Sequence, residues 1–120
     1  MSRPPSGTDR ASRLSGAKEY ERIFARRMRT DLGFITIHAA LNDVPRARLG
    51  LSIGSRVGNA VRRNRVKRLV REAFRLSYPQ LPVGIDLVVS ARPHDDRPLA
   101  DYQAALVECA TQLNTNLRRA

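Results

Sequence analysis

Ser55-Arg56-Val57-Gly58-Asn59-Ala60-Val61-Arg62-Arg63-Asn64-Arg65-Val66-Lys67-Arg68-Leu69-Val70-Arg71-Glu72-Ala73-Phe74-Arg75 is the stretch on which the reading of this chain turns. At about 100° per residue, Val66, Leu69, Val70, Ala73 and Phe74 gather on one side of a helix. Asn64, Lys67, Arg68, Arg71 and Arg75 fall on the other. Asn59 can cap the first turn by accepting an orphan backbone N–H, and Gly58 lets the chain turn just before it. Eight cations (Arg56, Arg62, Arg63, Arg65, Lys67, Arg68, Arg71 and Arg75) stand against one acid, Glu72. A mixed-sign face would read as merely solvated. Like charges three and four residues apart instead repel by a few tenths of a kcal/mol per pair, a cost that a polyanion would offset. The helix is therefore expected to be held down by its apolar stripe and to offer a rigid cationic ridge to a phosphate-rich partner.

The rest of the chain agrees with that bias. Its 120 residues suffice for one domain and one core. A formal net charge of +11 points to nucleic acid or an anionic membrane surface. No apolar run approaches the roughly 20 residues of a spanning helix, and Trp, common in interfacial helices, is absent, so no membrane partner is expected. The first residues show no apolar signal core, and a single cysteine, Cys109, excludes an internal disulfide, so a reducing cytoplasmic location is expected. Lys18 and Lys67 are the two lysines among 22 cationic residues. The arginine excess is what GC-rich coding would give, but its consequence holds regardless: guanidinium is a planar fork that pairs bidentately with phosphate and stacks on bases.

In chain order, residues 1–13 are Ser, Pro, Gly and Arg without periodicity and read as a flexible basic tail, leaving 14–120 as a single domain, which the resemblance given below makes RNA-binding. Leu14 to about Met28 reads as a helix with Ser15 as a plausible cap and Ala17, Tyr20, Phe24 and Met28 as its apolar stripe. Phe34–Leu41 and Arg48–Ile53 read as strands, and Asn42-Asp43-Val44-Pro45 as the turn of a hairpin joining them. The basic helix should end near Ser77, ahead of Pro79 and Pro82. Ile85–Ala91 reads as a buried strand. Leu99 to about Arg118 reads as a helix, with Leu99, Tyr102, Leu106, Cys109, Leu113 and Leu117 on one face. The fold class is α+β: a small mixed sheet with packed helices in the order α-β-β-(β)-α-β-α.

Catalytic machinery is not evident in this inventory. His38 and His94 lie far apart in sequence, Cys109 sits on an apolar face, and zinc-ligand spacing is lacking. Asp95-Asp96 beside Arg92 and Arg97 reads as a solvated acidic pair, and Gly50, Gly54 and Gly58 are spaced wrongly for a phosphate loop. The chain alone reads as a binder.

The run from Arg56 to Arg75 closely resembles the Arg-Asn-Arg signature of the bacterial ribonuclease P protein component. Arg48-Leu49-Gly50-Leu51-Ser52, Arg13-Leu14 with Glu19-Tyr20 and Phe24, and Asp86-Leu87-Val88-Val89-Ser90-Ala91-Arg92-Pro93 are also similar to it, so that the resemblance spans about Arg13 to Leu117. The resemblance implies a protein subunit bound to a large catalytic RNA, the two together removing the 5′ leader of precursor tRNA by metal-dependent hydrolysis. The RNA would supply the active site and its Mg2+, and the protein would carry no catalytic residue and no metal site. The signature helix, here Arg62, Arg63, Asn64, Arg65, Lys67, Arg68, Arg71 and Arg75, would face that RNA. Tyr20, Phe24, Phe34 and Ile37 would line a leader-binding cleft between the first helix and the sheet, with Ser52 and Arg56 as polar neighbours. The resemblance also implies a left-handed crossover from the strand before the basic helix to the strand after it, against the right-handed hand of about 98% of such connections.

The aromatic residues support the same idea independently, because single-stranded RNA is commonly held on aromatic faces over a positive groove. Their alternative role is plain core. Among rival functions, a ribosomal-protein-like RNA binder would share charge and fold without taking part in cleavage. A DNA module would lay the basic helix in a major groove and prefer duplex DNA, a partner not expected here.

Overall fold

Asn59 starts the basic helix as expected. In a computed structural model, which describes residues 12–119, its Oδ1 accepts the Arg62 backbone N–H at 3.0 Å, and the helix runs Ala60–Ser77 (α2). A single 3-10 turn over Tyr78–Gln80, with Pro79 inside it, ends the run. Val66, Val70, Ala73 and Phe74 are buried, and they pack into one core with the apolar face of Leu99–Arg119 (α3). The expected α3 face is the buried one, with Tyr102, Leu106, Cys109, Leu113 and Leu117 all inside. Burial pushes the Cys109 thiol pKa up, as suits a core side chain.

Four strands form one mixed sheet: Met28–Asp31 (β1), Ile35–Leu41 (β2), Arg48–Ser52 (β3) and Ile85–Ala91 (β4), in the order β1-β2-β4-β3. This corrects the expected hairpin, because β2 and β3 do not pair. β4 lies between them, antiparallel to β2 and parallel to β3. The physical reason is burial: Ile85 through Val89 are buried without a break, so β4 needs a neighbour on each edge and a layer on each face. Asn42–Pro45 therefore opens a loop over the end of β4, and the Asn42 N–H donates to the Gly84 carbonyl at 2.9 Å.

The first helix is shorter than expected. It spans Ala17–Ala25 (α1), its N-cap is Gly16 rather than Ser15, and Met28 belongs to β1. Pairing decides this: Met28 sits opposite Ala39 and Asp31 opposite Thr36, a four-residue ladder that a continued helix would forgo. The expected stripe also shifts. Ile23 is the buried anchor of α1, joined by Leu14, Ala40 and Val88, while Phe24 is 37% exposed and Ala17 is exposed. Ser12 is buried and Arg13 bridges to Leu49, so the expected tail loses its last two residues to the fold. Residues 1–11 of that tail lie outside the described residues.

The helices occupy opposite faces of the sheet, α1 on one, α2 and α3 on the other. The hand of the β3–α2–β4 connection follows from Leu49. Its side chain points into the core shared with α2, and its carbonyl points away from β4 to accept the Leu14 N–H at 2.9 Å. With side chain toward the viewer and strand running upward, L-chirality turns a residue's N–H and C=O to the right. β4 therefore lies left of β3 with α2 in front, and the crossover is left-handed.

One polar cluster ties α1 to the sheet. Asp86, fully buried in β4 on the α1 face, accepts from Arg48 Nε at 2.7 Å, Arg48 Nη2 at 2.9 Å, Asn42 Nδ2 at 2.7 Å, and also from Arg22 of α1. Arg22 also donates to the Leu41 carbonyl at 3.0 Å, and Glu19 bridges to Arg22 at 3.3 Å and Arg48 at 3.5 Å. Removing the central carboxylate leaves Arg48 half-buried without its main partner, whereas Arg22 can turn to solvent. Asp86→Ala should therefore cost about 3 kcal/mol, the low end for a broken buried pair, read as a lowered urea midpoint at unchanged m-value.

Candidate nucleic-acid interface

Along the outward side of α2, Asn64, Arg65, Arg68, Arg71 and Arg75 are exposed, and Arg62, Arg63 and Lys67 are half-buried. Their partners divide the ridge. Arg62 pairs with Asp96 at 3.0 Å and donates to the His94 carbonyl; Arg65 reaches the same Asp96 at 3.4 Å. Asp96 is thus an ion-pair partner rather than a merely solvated acid. The loop that carries it is fixed by His94, whose ring nitrogens lie 2.6 Å from the Arg92 carbonyl and 2.7 Å from the Tyr102 hydroxyl. Arg75 pairs with Glu72 at 3.1 Å. Among the described residues Arg63, Lys67, Arg68 and Arg71 form no salt bridge. They are the cations most ready for an outside anion.

Lys67, Arg68, Arg71 and Arg75 also form one wall of a groove of about 380 Å³. Its other wall is Arg13, Leu14 and Tyr20, and its floor is Leu49–Leu51 on the edge strand. Tyr20 is held by its hydroxyl, which accepts the Leu51 N–H at 3.2 Å. Gly50 makes room for it, since a Cβ there would lie 2.4 Å from the ring.

The residues of the expected cleft are not all brought together. Side chains alternate along β2, so Ile35, Ile37 and Ala39 face α2 and α3, while His38 and Ala40 face α1. Ile37 is 0% exposed and Phe34 9% exposed in the core on the wrong face for a cleft beside α1. Phe34 packs edge-on against Tyr102 and His94, with the Arg97 guanidinium 3.9 Å above its ring. Tyr20 and Phe24 do lie on the α1 face. Ser52, exposed, is two residues beyond Gly50 on that face, and Arg56 is exposed in the 3-10 turn Ser55–Val57 that leads to α2.

Sequence reasoning missed the residue that stands where Phe34 and Ile37 were expected. His38 meets the Phe24 ring edge-on at 4.7 Å and sits across the β1–β2 ladder from Arg29. One row of the sheet reads Arg29, His38, Val88, Gly50, and α1 lies over its middle, Tyr20 flanking it above Gly50 and Phe24 above His38. The signal was the period of two along Thr36, His38 and Ala40, overlooked because β2 reads as apolar throughout.

Residues 9–114 match the ribonuclease P family model. The chain belongs to the ribonuclease P protein family. The ribonuclease P protein component of Roseiflexus sp. (strain RS-1) is 42% identical over 104 residues, covering 86% of this chain and 85% of that one. The RNase P protein of Thermotoga maritima superposes with a TM-score of 0.74 at 26% identity, over 83% of this chain and 96% of that one. The Staphylococcus aureus RNase P protein gives 0.71 at 26% identity, over 88% and 96%. Ribonuclease P proteins are subunits of a tRNA-processing ribonucleoprotein, so this chain is part of a ribonuclease P holoenzyme with RNA as its partner. A ribosomal-protein-like role is not favoured.

Burial, with Arg29 nearby as the second cause, holds the His38 pKa below its ordinary 6.5, and Nδ1 is buried without a hydrogen-bond partner among the described residues. The folded state therefore resists a proton that the unfolded chain accepts. This stability is fully present above about pH 6.5 and is lost as pH falls toward the folded pKa. His38→Gln should reduce the loss of urea-unfolding free energy between pH 7.5 and 5.5, by no more than about 1.4 kcal/mol per pH unit, the ceiling for one proton.

Proposed function

We propose that this subunit grips two RNAs with two surfaces: the catalytic RNA of ribonuclease P with the α2 ridge, and the single-stranded 5′ leader of precursor tRNA with the α1 face. The observation that carries the reading is that four cations of one helix face, Arg63, Lys67, Arg68 and Arg71, lack a salt bridge among the described residues, while a groove flanked by Tyr20 opens beside them. Guanidinium forks pair bidentately with phosphate, and neutralising phosphates releases condensed counterions. Tyr20 and Phe24 offer ring faces to unpaired bases, with Ser52 and Arg56 as polar neighbours.

The chemistry is assigned to the partner RNA. Among the described residues no group of three or more His, Cys, Asp or Glu side chains is assembled to hold a metal. Magnesium ions held by the RNA would activate water and stabilise the leaving oxygen of the scissile phosphodiester. The work of this chain is then to neutralise phosphate repulsion and to add leader contacts that mature tRNA lacks, which raises the preference for substrate over product. A helix long and apolar enough to cross a membrane does not occur among the described residues, and the cytoplasm is the proposed compartment.

A paired binding experiment tests this division. Arg68→Gln/Arg71→Gln should weaken assembly with a bacterial ribonuclease P RNA and lower the log–log salt slope by roughly 0.7 to 0.9 per lost phosphate contact. Phe24→Ala should leave assembly and mature tRNA affinity intact but weaken binding of leader-bearing precursor by the equivalent of roughly 1–3 kcal/mol. Equal weakening of precursor and mature tRNA by Phe24→Ala would make that ring a structural residue only.

A further inference from the structure

Arg27 follows α1 with φ 56°, and it is the single non-glycine residue with positive φ among the described residues. Its N–H closes the helix by donating to the Phe24 carbonyl at 3.1 Å. Such a left-handed residue at a helix end is usually glycine, because a Cβ crowds the following carbonyl. No ion pair or side-chain hydrogen bond of Arg27 within the described residues offsets that strain. The Arg27 side chain does line a recess of about 340 Å³, together with Phe24, Arg29 and His38. Arg29, like Arg27, has no salt bridge among the described residues, and it sits directly across from His38 in the β1–β2 ladder. The recess opens on the far side of α1 from the groove beside Tyr20.

Two unpaired guanidiniums around an edge-to-face aromatic pair suit an anion joined to a flat ring. We propose that Arg27 and Arg29 clamp a backbone phosphate of the single-stranded leader while the attached base packs against Phe24 and His38, and that arginine is kept at the strained position 27 for this contact. The inference rests on the leader reading of the α1 face and adds to it a second nucleotide subsite with its own phosphate clamp. Neutral His38 fits the base side of the recess, since its proton affinity is lowered there. The anion could equally be a free phosphate or a mononucleotide, so the probe must separate these from a leader.

Arg27→Gly gives the sharpest test, because strain and function pull in opposite directions. In the reconstituted holoenzyme it should weaken binding of a precursor tRNA with a single-stranded 5′ leader by roughly 3- to 10-fold and lower its salt slope by about 0.7, the value for one single-strand phosphate contact. Affinity for mature tRNA and assembly with the RNA should not change. The melting temperature of the free protein should rise by a few degrees as the left-handed strain is relieved. Arg27→Lys should keep most of the precursor affinity. Inorganic phosphate and a mononucleotide, added as competitors at millimolar level, should leave precursor binding unchanged, and competition by either would replace the leader with a free anion as the ligand. Precursor affinity equal to the parent protein in Arg27→Gly overturns the proposal, and so does a lowered melting temperature, which would make Arg27 a structural residue. If Phe24→Ala spares the precursor-to-mature preference, the leader reading itself fails. If Phe24→Ala abolishes that preference and Arg27→Gly does not, only the Arg27 clamp is lost.

Discussion

A carboxylate buried at the centre of a sheet is costly unless its charge is met from every side, and Asp86 is met by Arg48, Arg22 and Asn42. These partners come from β3, α1 and the end of β2, so satisfying one group fixes the positions of three elements. The parallel pair β3–β4, with its left-handed crossover, and the seat of α1 on the opposite face are thereby coupled. The placement of Tyr20, Phe24 and His38 over their row of the sheet follows from that seat. An apolar residue at position 86 could fill the volume, but it would leave the tilt and register of a nine-residue helix to Ile23, the Tyr20 hydroxyl bond and the Phe24–His38 contact.

The sheet also separates the electrostatic tasks of the molecule. On one face α2 is backed by α3 and turns its cations outward; on the other, α1 covers only part of the surface and leaves a recess on each flank. Asp96 and Glu72 engage Arg62, Arg65 and Arg75 within the chain. Exposed pairs of this kind are worth little and exchange readily for phosphate, so they lower self-repulsion within the ridge while holding its side chains in place.

What the sequence made legible was local and periodic. The basic helix showed its cap at Asn59, its stop at Ser77 and its buried stripe, and the α3 stripe was equally plain, because 3.6-residue periodicity and capping act within one element. Strand pairing was not legible. A turn sequence at Asn42–Pro45 suggested a hairpin, yet the decisive fact was that β4 needed cover on both sides, a condition set by residues forty positions away. The short strand β1 lacked any apolar run and is held by its partner. The candidate ridge was readable from charge alone, whereas of the four apolar residues expected to line one cleft, Tyr20 and Phe24 lie on the α1 face and Phe34 and Ile37 lie in the core on the opposite face. A shift of one position along a strand reverses the face, and neither charge nor composition reports that parity.

The central claim is that this chain assists an RNA that carries the chemistry. The most direct measurement is multiple-turnover cleavage of a precursor tRNA by a bacterial ribonuclease P RNA at low magnesium, with and without the protein, beside a rigorously RNA-free sample of the protein. The account predicts cleavage at the mature 5′ end that is strongly stimulated by the protein and none by the protein alone. Unchanged turnover on adding the protein, or cleavage at that site by the RNA-free chain, would contradict it.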